Sequence, residues 1–143
     1  MPGKLSDIKE EVWKHFNDFQ CVFLATAEGD QPRVRPVTLI YFDENLWITT
    51  DTKSAKVKQI QKTPKIEFCL YLQKEGKDCY IRVAGIAKII KDRETKSKIA
   101  GHCDFFSRHW ESVDDPGYTL IQICPVEIEY LRPGEFPALK FRL

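Results

Sequence analysis

The sequence predicts a mainly β protein, a small antiparallel barrel with a few helices, formed by one domain over residues 1–143. Three observations predict it. Six runs rich in β-branched and aromatic residues alternate with turns marked by Gly, Pro, Asp and Asn. Helical periodicity is confined to three short stretches. No internal repeat, low-complexity tract or linker divides the chain, and 143 residues are enough to bury one core. Closure into a barrel would remove exposed strand edges; a β-sandwich is the alternative that the same strands allow.

Ser6 to Asp18 reads as an amphipathic helix. Leu5, Ile8, Val12, Phe16 and Phe19 recur at three- and four-residue spacing, and Asp7, Glu10 and Glu11 fall in the first turn, where the helix dipole favours them. His15 lies beside that stripe and reads as structural. Cys21 to Ala27 is a buried strand ending at the turn Glu28-Gly29-Asp30-Gln31-Pro32. Arg33 to Phe42 alternates, with Val34, Pro36, Thr38 and Ile40 on one face and Arg33, Arg35, Val37, Leu39 and Tyr41 on the other. Pro36 cannot donate to a ladder, so it predicts an edge position or a bulge. After the turn Asp43-Glu44-Asn45, Leu46 to Thr50 completes an antiparallel meander.

A helix from about Ser54 ends near Thr63-Pro64. Lys65 to Leu72 is the fourth strand and Cys79 to Ile90 the fifth, with the polar turn Gln73 to Lys77 between them. Gly85 inside the fifth strand predicts a bulge or a close approach of another backbone or a ligand. Asp92 to Ile99 is polar enough for a short exposed helix. Phe105, Phe106 and Trp110 form an aromatic knot before the turn Asp114-Asp115-Pro116-Gly117. Tyr118 to Leu131 is a sixth, long strand interrupted at Pro125. The tail from Arg132 to Leu143 carries Phe136, Leu139 and Phe141, and is expected to dock on the body.

Composition excludes several functions. A net charge of +1 with 30% charged residues and no long basic block leaves no nucleic-acid footprint. No apolar run approaches a membrane span, and Met1-Pro2-Gly3-Lys4-Leu5 leads into a charged segment rather than a signal sequence, so a cytoplasmic protein is expected. The five cysteines, at 21, 69, 79, 103 and 124, are scattered without C-x-x-C and read as reduced core thiols. His102, Cys103 and Asp104, with His109 further on, lack the ligand spacing of zinc sites, and no metal is expected.

Chemistry concentrates in Thr49-Thr50-Asp51-Thr52-Lys53-Ser54-Ala55-Lys56, where a strand gives way to a helix. Hydroxyls and ammonium groups converge there on a helix start, whose first N–H groups lack intrahelical partners and whose dipole favours an anion. The stretch is neither a Walker loop nor G-x-G-x-x-G. Two readings are open: the corner holds a phosphate, or Ser54 caps the helix and the lysines are solvated. Arg33 and Arg35 share a strand face, and pairing through the turn at 43–45 would bring Arg35 towards the Trp47 to Thr50 strand. A guanidinium there suits a phosphate or a polarised ring, or it is simply solvated.

In combination these motifs resemble the pyridoxamine 5′-phosphate oxidase-like, FMN-binding split-barrel family, in particular its short general-stress-protein branch. The resemblance runs from the first helix to about Pro133. It is carried by Arg35-Pro36-Val37, Leu46-Trp47-Ile48-Thr49-Thr50, Ser54-x-Lys56, Pro64, Gly85-Ile86-Ala87 and Asp115-Pro116-Gly117-Tyr118. It implies a six-stranded antiparallel split barrel of the FMN-binding type, a homodimer with flavin at the subunit interface, and Trp110 and the tail as interface or pocket parts. Carried over by position, Arg35, Pro36, Val37 and Thr38 would face the isoalloxazine, and Thr49, Thr50, Ser54 and Lys56 the phosphate end. The oxidase proper has an arginine between the serine and the lysine; Ala55 stands here, one cationic contact fewer, which Lys53 could replace. The segment Pro137 to Leu143 is not the family's substrate-binding R-L-x-x-R-like pattern, so oxidation of pyridoxamine phosphate is not expected.

The resemblance implies an FMN-dependent oxidoreductase of unknown substrate, with a small electron donor such as NADH or NADPH. No side chain stands out as a catalytic acid or base, which accords with chemistry centred on a cofactor. The alternatives are a flavin carrier without efficient turnover, a relative that uses F420 or haem, and a barrel with no small ligand.

Overall fold

The computed structural model describes residues 4–143. The reading of Met1 to Gly3 as part of a non-signal start lies outside them. Its elements are α1 (Leu5–Trp13), β1 (Phe19–Glu28), β2 (Gln31–Phe42), β3 (Asn45–Asp51), α2 (Ala55–Lys62), β4 (Lys65–Lys74), β5 (Lys77–Ile90), α3 (Arg93–His102), a 3-10 turn (Phe106–Arg108), β6 (Tyr118–Leu131) and β7 (Leu139–Arg142).

One antiparallel sheet runs β3-β2-β1-β4-β5-β6-β7, and β3 also pairs with β6. That last pairing, from Leu46↔Ile123 to Asp51↔Tyr118, closes six strands into a ring and excludes the sandwich. The tail, expected to dock on the body, does so as a seventh strand, β7 on β6. β6 divides one edge between two neighbours, with β3 on residues 118–123 and β7 on residues 127–130. Pro125 lies between them, where a missing N–H breaks neither ladder. The register of β5 against β6 shifts between Ala84 and Gly85. A Cβ on Gly85 would stand 2.5 Å from the Cys124 carbonyl oxygen, so the glycine is the close approach expected of it.

Inward residues of the strands, among them Val22, Leu24, Phe68, Leu70, Ile81 and Ile121, fill the barrel. α1 closes one end with Ile8 and Val12, followed by Phe16. The helix stops at Trp13 rather than at Asp18. Phe16 N bonds Trp13 O, a tightened turn that still delivers Phe16 to the core, so the apolar spacing outlasts the helix. A second apolar cluster lies outside the barrel, where α3 and the residues after it pack Ile99, Cys103 and Trp110 against Ile40, Trp47 and Leu120. α3 is capped by Asp92, whose side chain accepts from Thr95 N at 3.0 Å.

β1 is buried on one face only. Val22 and Leu24 point in, whereas Cys21 and Phe23 are exposed, so Cys21 is not a core thiol; Cys79 and Cys103 are. All five cysteines are unpaired. No described helix is long and apolar enough to cross a membrane.

Candidate functional site

The site opens where β2 and β3 part. Their pairing runs only from Ile40↔Trp47 to Phe42↔Asn45. Beyond it β2 stays on β1 as far as Gln31, and β3 stays on β6 as far as Asp51. A cleft of about 340 Å³ lies between the diverging strands. Pro36, Val37 and Thr38 form one wall, on a stretch of β2 with no β3 partner; a proline there forfeits no bond on that open side. Ile48 to Asp51 and Lys56 form the second wall, and Phe105, His109 and Trp110 the third.

One end of the cleft is the β3–α2 corner. Ser54 takes the N-cap position of α2 with extended backbone, yet its hydroxyl bonds no helix N–H. It lies instead 3.3 Å from Thr50 Oγ1 and 3.4 Å from Lys56 Nζ, and Lys56 Nζ donates to Thr50 Oγ1 at 2.6 Å. The simple capping reading of Ser54 therefore fails, and the start of α2 keeps N–H groups that no side chain caps. Burial pulls the Lys56 pKa down, Arg35 adds to the pull, and the Asp51 carboxylate opposes it.

Arg35 sits beside this corner. Its Nη1 donates to Leu24 O at 3.2 Å and to Thr26 Oγ1 at 2.8 Å, and its Nη2 to Gln59 Oε1 at 2.9 Å. Thr26 and Gln59 are buried, and Thr26 Oγ1 donates to Gln59 Oε1 at 2.5 Å. Burial, then Arg33, lowers the Arg35 pKa. All these partners are neutral. Arg33, Arg82, Arg93, Arg132 and Arg142 each pair with a carboxylate, whereas Arg35 and Lys56 form no ion pair among the described residues.

On the third wall Trp110 is locked by a forked bond. Its Nε1–H donates to Gly117 O at 2.9 Å and to Asp51 Oδ1 at 3.2 Å. Asp115 holds the loop beneath it, accepting from Gly117 N at 2.9 Å and Glu111 N at 3.1 Å. An aromatic wall thus faces an open strand edge, a slot suited to a planar ring. The corner, with two partly desolvated cations, hydroxyls and an uncapped helix start, is suited to a phosphate. Among the described residues no three His, Cys, Asp or Glu side chains gather as metal ligands would, and His102 is stacked on Phe42 at 4.2 Å.

Comparison with known proteins fits this geometry. The family model described as pyridoxamine 5′-phosphate oxidase matches residues 8–132. The chain belongs to the pyridoxamine 5′-phosphate oxidase-like family. It is similar to general stress protein 26 of Bacillus subtilis (strain 168), 29% identical over 130 residues that cover 90% of this chain and 91% of that protein. Among solved structures it is similar to general stress protein 26 of Bacillus anthracis str. Sterne, with a TM-score of 0.75 and 27% identity over 95% of this chain and 98% of that one. A nimC/nimA family protein of Clostridium acetobutylicum superposes with a TM-score of 0.76 at 24% identity, over 94% of this chain and 91% of that one, which shows the shared fold.

Of the positions nominated by resemblance to the pyridoxamine 5′-phosphate oxidase-like family, Pro36, Val37, Thr38, Thr49, Thr50 and Lys56 line the cleft. Ser54 joins them through Thr50 and Lys56. Arg35 is not a lining residue; its guanidinium is engaged behind the wall by Leu24, Thr26 and Gln59. Lys53, the candidate to replace the cationic contact missing at Ala55, is exposed and lines an adjoining hollow with Pro116 and Gly117. Sequence reasoning missed Asp51 and His109. Asp51 lies inside the Thr49 to Lys56 stretch, but nothing local joins it to Trp110, and the sequence around His109 carries no signal beyond a metal ligand's. His15 is structural as expected, bonded through Nε2 to Tyr130 OH at 2.9 Å far from the cleft in sequence and fold.

Proposed function

We propose that this chain is an FMN-binding flavoprotein, an oxidoreductase that takes electrons from a reduced nicotinamide nucleotide. One observation carries the reading. Arg35 and Lys56 are partly buried cations without carboxylate partners, beside a helix start whose N-cap hydroxyl is turned away from its own N–H groups. A phosphate ester supplies what that corner lacks, charge and acceptors together.

The residues present fit the whole cofactor. Thr50, Ser54 and Lys56 would hold the phosphate, with Thr49 beside them. The ring would lie between the open edge at Pro36, Val37 and Thr38 and the aromatic wall at Phe105 and Trp110. Bound flavin supplies the electron chemistry itself, and the protein holds, orients and shields it. Arg35 acts from behind the wall, placing positive charge near the site while tying β1, β2 and α2 together.

The surface next to the cleft supports a homodimer. Phe23 and Val34 are 49% and 68% exposed. Phe23 pairs with Pro36 and Cys21 with Thr38, so these side chains share one face with the cleft wall. A second copy seated there would cover the patch and enclose the ring. Five unpaired cysteines accord with a cytoplasmic protein.

The test is a visible absorption spectrum of the purified protein, before and after adding FMN and removing the excess. Retained flavin bands, then oxidation of NADH or NADPH, are expected. Failure to retain FMN rejects the reading; retention without turnover leaves a flavin carrier.

A further inference from the structure

Asp51 lines the cleft together with Lys56 and Trp110, and neither the phosphate reading nor the ring reading uses it. As the last residue of β3 it shares a face with Thr49, while Ile48 and Thr50 are the buried neighbours. Its backbone carbonyl accepts from Ser54 N at 3.0 Å, which fixes the turn into α2. Its side chain is exposed and bonds Trp110. Oδ1 accepts the Trp110 indole proton at 3.2 Å, a proton shared with Gly117 O at 2.9 Å. The same carboxylate lines the cleft with Lys56, and its charge opposes the effects of burial and Arg35 on that ammonium. No arginine or lysine forms an ion pair with Asp51 among the described residues.

A carboxylate placed this way is in conflict with an anion at the corner. We propose that Asp51 is a positioning residue that couples the phosphate corner to the aromatic wall: an anion seated on Lys56 repels the Asp51 carboxylate, weakens its hold on Trp110 Nε1–H, and leaves that proton to Gly117 O. Occupancy of one end of the cleft is thereby transmitted to the wall against which the ring lies. The same carboxylate discriminates by charge. It penalises a phosphate dianion and is indifferent to the uncharged riboflavin end, so binding is tuned below what the cations alone would give. The inference rests on the reading of the corner as a phosphate site.

The indole N–H of Trp110 reports the coupling directly. In ¹⁵N-labelled protein the three tryptophans give three indole cross-peaks, and Trp110→Phe identifies the one from residue 110. Inorganic phosphate is the first probe, because it carries no ring current; FMN and riboflavin follow. The expected result is that phosphate shifts the Trp110 indole signal and leaves that of Trp13 unmoved. Asp51→Asn keeps an oxygen acceptor for the indole and removes the charge. In this variant phosphate no longer moves Trp110, FMN binds roughly tenfold tighter, the scale of removing one like charge near a partly exposed site, and riboflavin affinity is unchanged. If phosphate and FMN bind but Trp110 stays still, or moves equally in Asp51→Asn, the coupling is wrong and Asp51 is structural only. If neither phosphate nor FMN binds the wild-type protein, the phosphate reading falls and takes the coupling with it.

Discussion

At the α1 end of the barrel, Arg132 grips Glu11 with two bonds, Nε to Oε2 at 2.9 Å and Nη2 to Oε1 at 3.1 Å. Tyr130 OH donates to the same Oε2 at 2.6 Å, so its oxygen is left to accept from His15 Nε2–H at 2.9 Å. At the β3–α2 corner the cations Arg35 and Lys56 are held only by hydroxyls, an amide oxygen and a backbone carbonyl. Both clusters combine basic and hydroxyl groups at an element junction. The first is closed: the Arg132 and Glu11 charges face each other, and the Tyr130 hydroxyl and His15 Nε2 are both engaged, which is what a structural tether needs. The second is open, with positive charge left over in a partly desolvated place. Unbalanced charge of that kind costs stability in the free protein and stabilises a bound anion.

The difference predicts how the two clusters respond to mutation. Arg35→Ala touches both stability and binding, because it strips a donor from the Leu24 carbonyl and from buried Thr26 and Gln59. We expect a loss of about 2–3 kcal/mol in urea unfolding, together with weaker FMN binding. A variant as stable as the wild type would show that the guanidinium tethers nothing. Lys56→Ala separates the two properties. FMN affinity falls by about 1.5–3 kcal/mol, while the melting temperature stays or rises, since a penalised charge has gone. Tyr130→Phe should do the reverse. It removes one acceptor and one donor from the closed cluster, costing about 1 kcal/mol of stability with FMN affinity unchanged.

The smallest effect concerns pH. The hydrogen bond from Arg132 is the main force holding Glu11 below its ordinary 4.5, with burial opposing and Tyr130 assisting. A lowered folded value means that this stability is fully present above 4.5 and is lost as pH falls through the folded value. Glu11→Gln should therefore flatten the acid side of the urea-midpoint profile slightly, since the pair is partly solvated. Lys56 has the opposite dependence. Its lowered folded value penalises the fold at neutral pH, and the penalty is relieved as pH rises through that value towards 10.5. An unchanged alkaline limb in Lys56→Ala would contradict the burial assigned to that ammonium.

Much of the barrel was legible because its signals are local. Alternation located β2, an apolar β-rich run located β3, Pro36 marked an open edge, and Gly85 marked the approach of Cys124. The closing pair β3–β6 was not, since it joins residues such as Thr50 and Thr119 that share no local pattern. The same distinction divides the site. Thr50, Ser54 and Lys56 lie within seven residues of one another, so the corner could be read directly. The partners of Arg35 come from β1 and α2, and Trp110 reaches Asp51 from 59 residues away, contacts that only the closed barrel makes. The turn of β1 that exposes Cys21 escaped notice because an apolar run looks buried on both faces until its neighbours are known.

The central claim is that the open corner is a phosphate site, and riboflavin provides the control. Dissociation constants of FMN and riboflavin, measured by fluorescence titration on the wild type and on Lys56→Ala, isolate the contribution of the phosphate. We predict that FMN binds the wild type well over tenfold tighter than riboflavin, as expected of charge-assisted bonds, and that Lys56→Ala removes most of that difference. Equal binding of the two flavins by the wild type, or a preference for FMN that survives in Lys56→Ala, would contradict it.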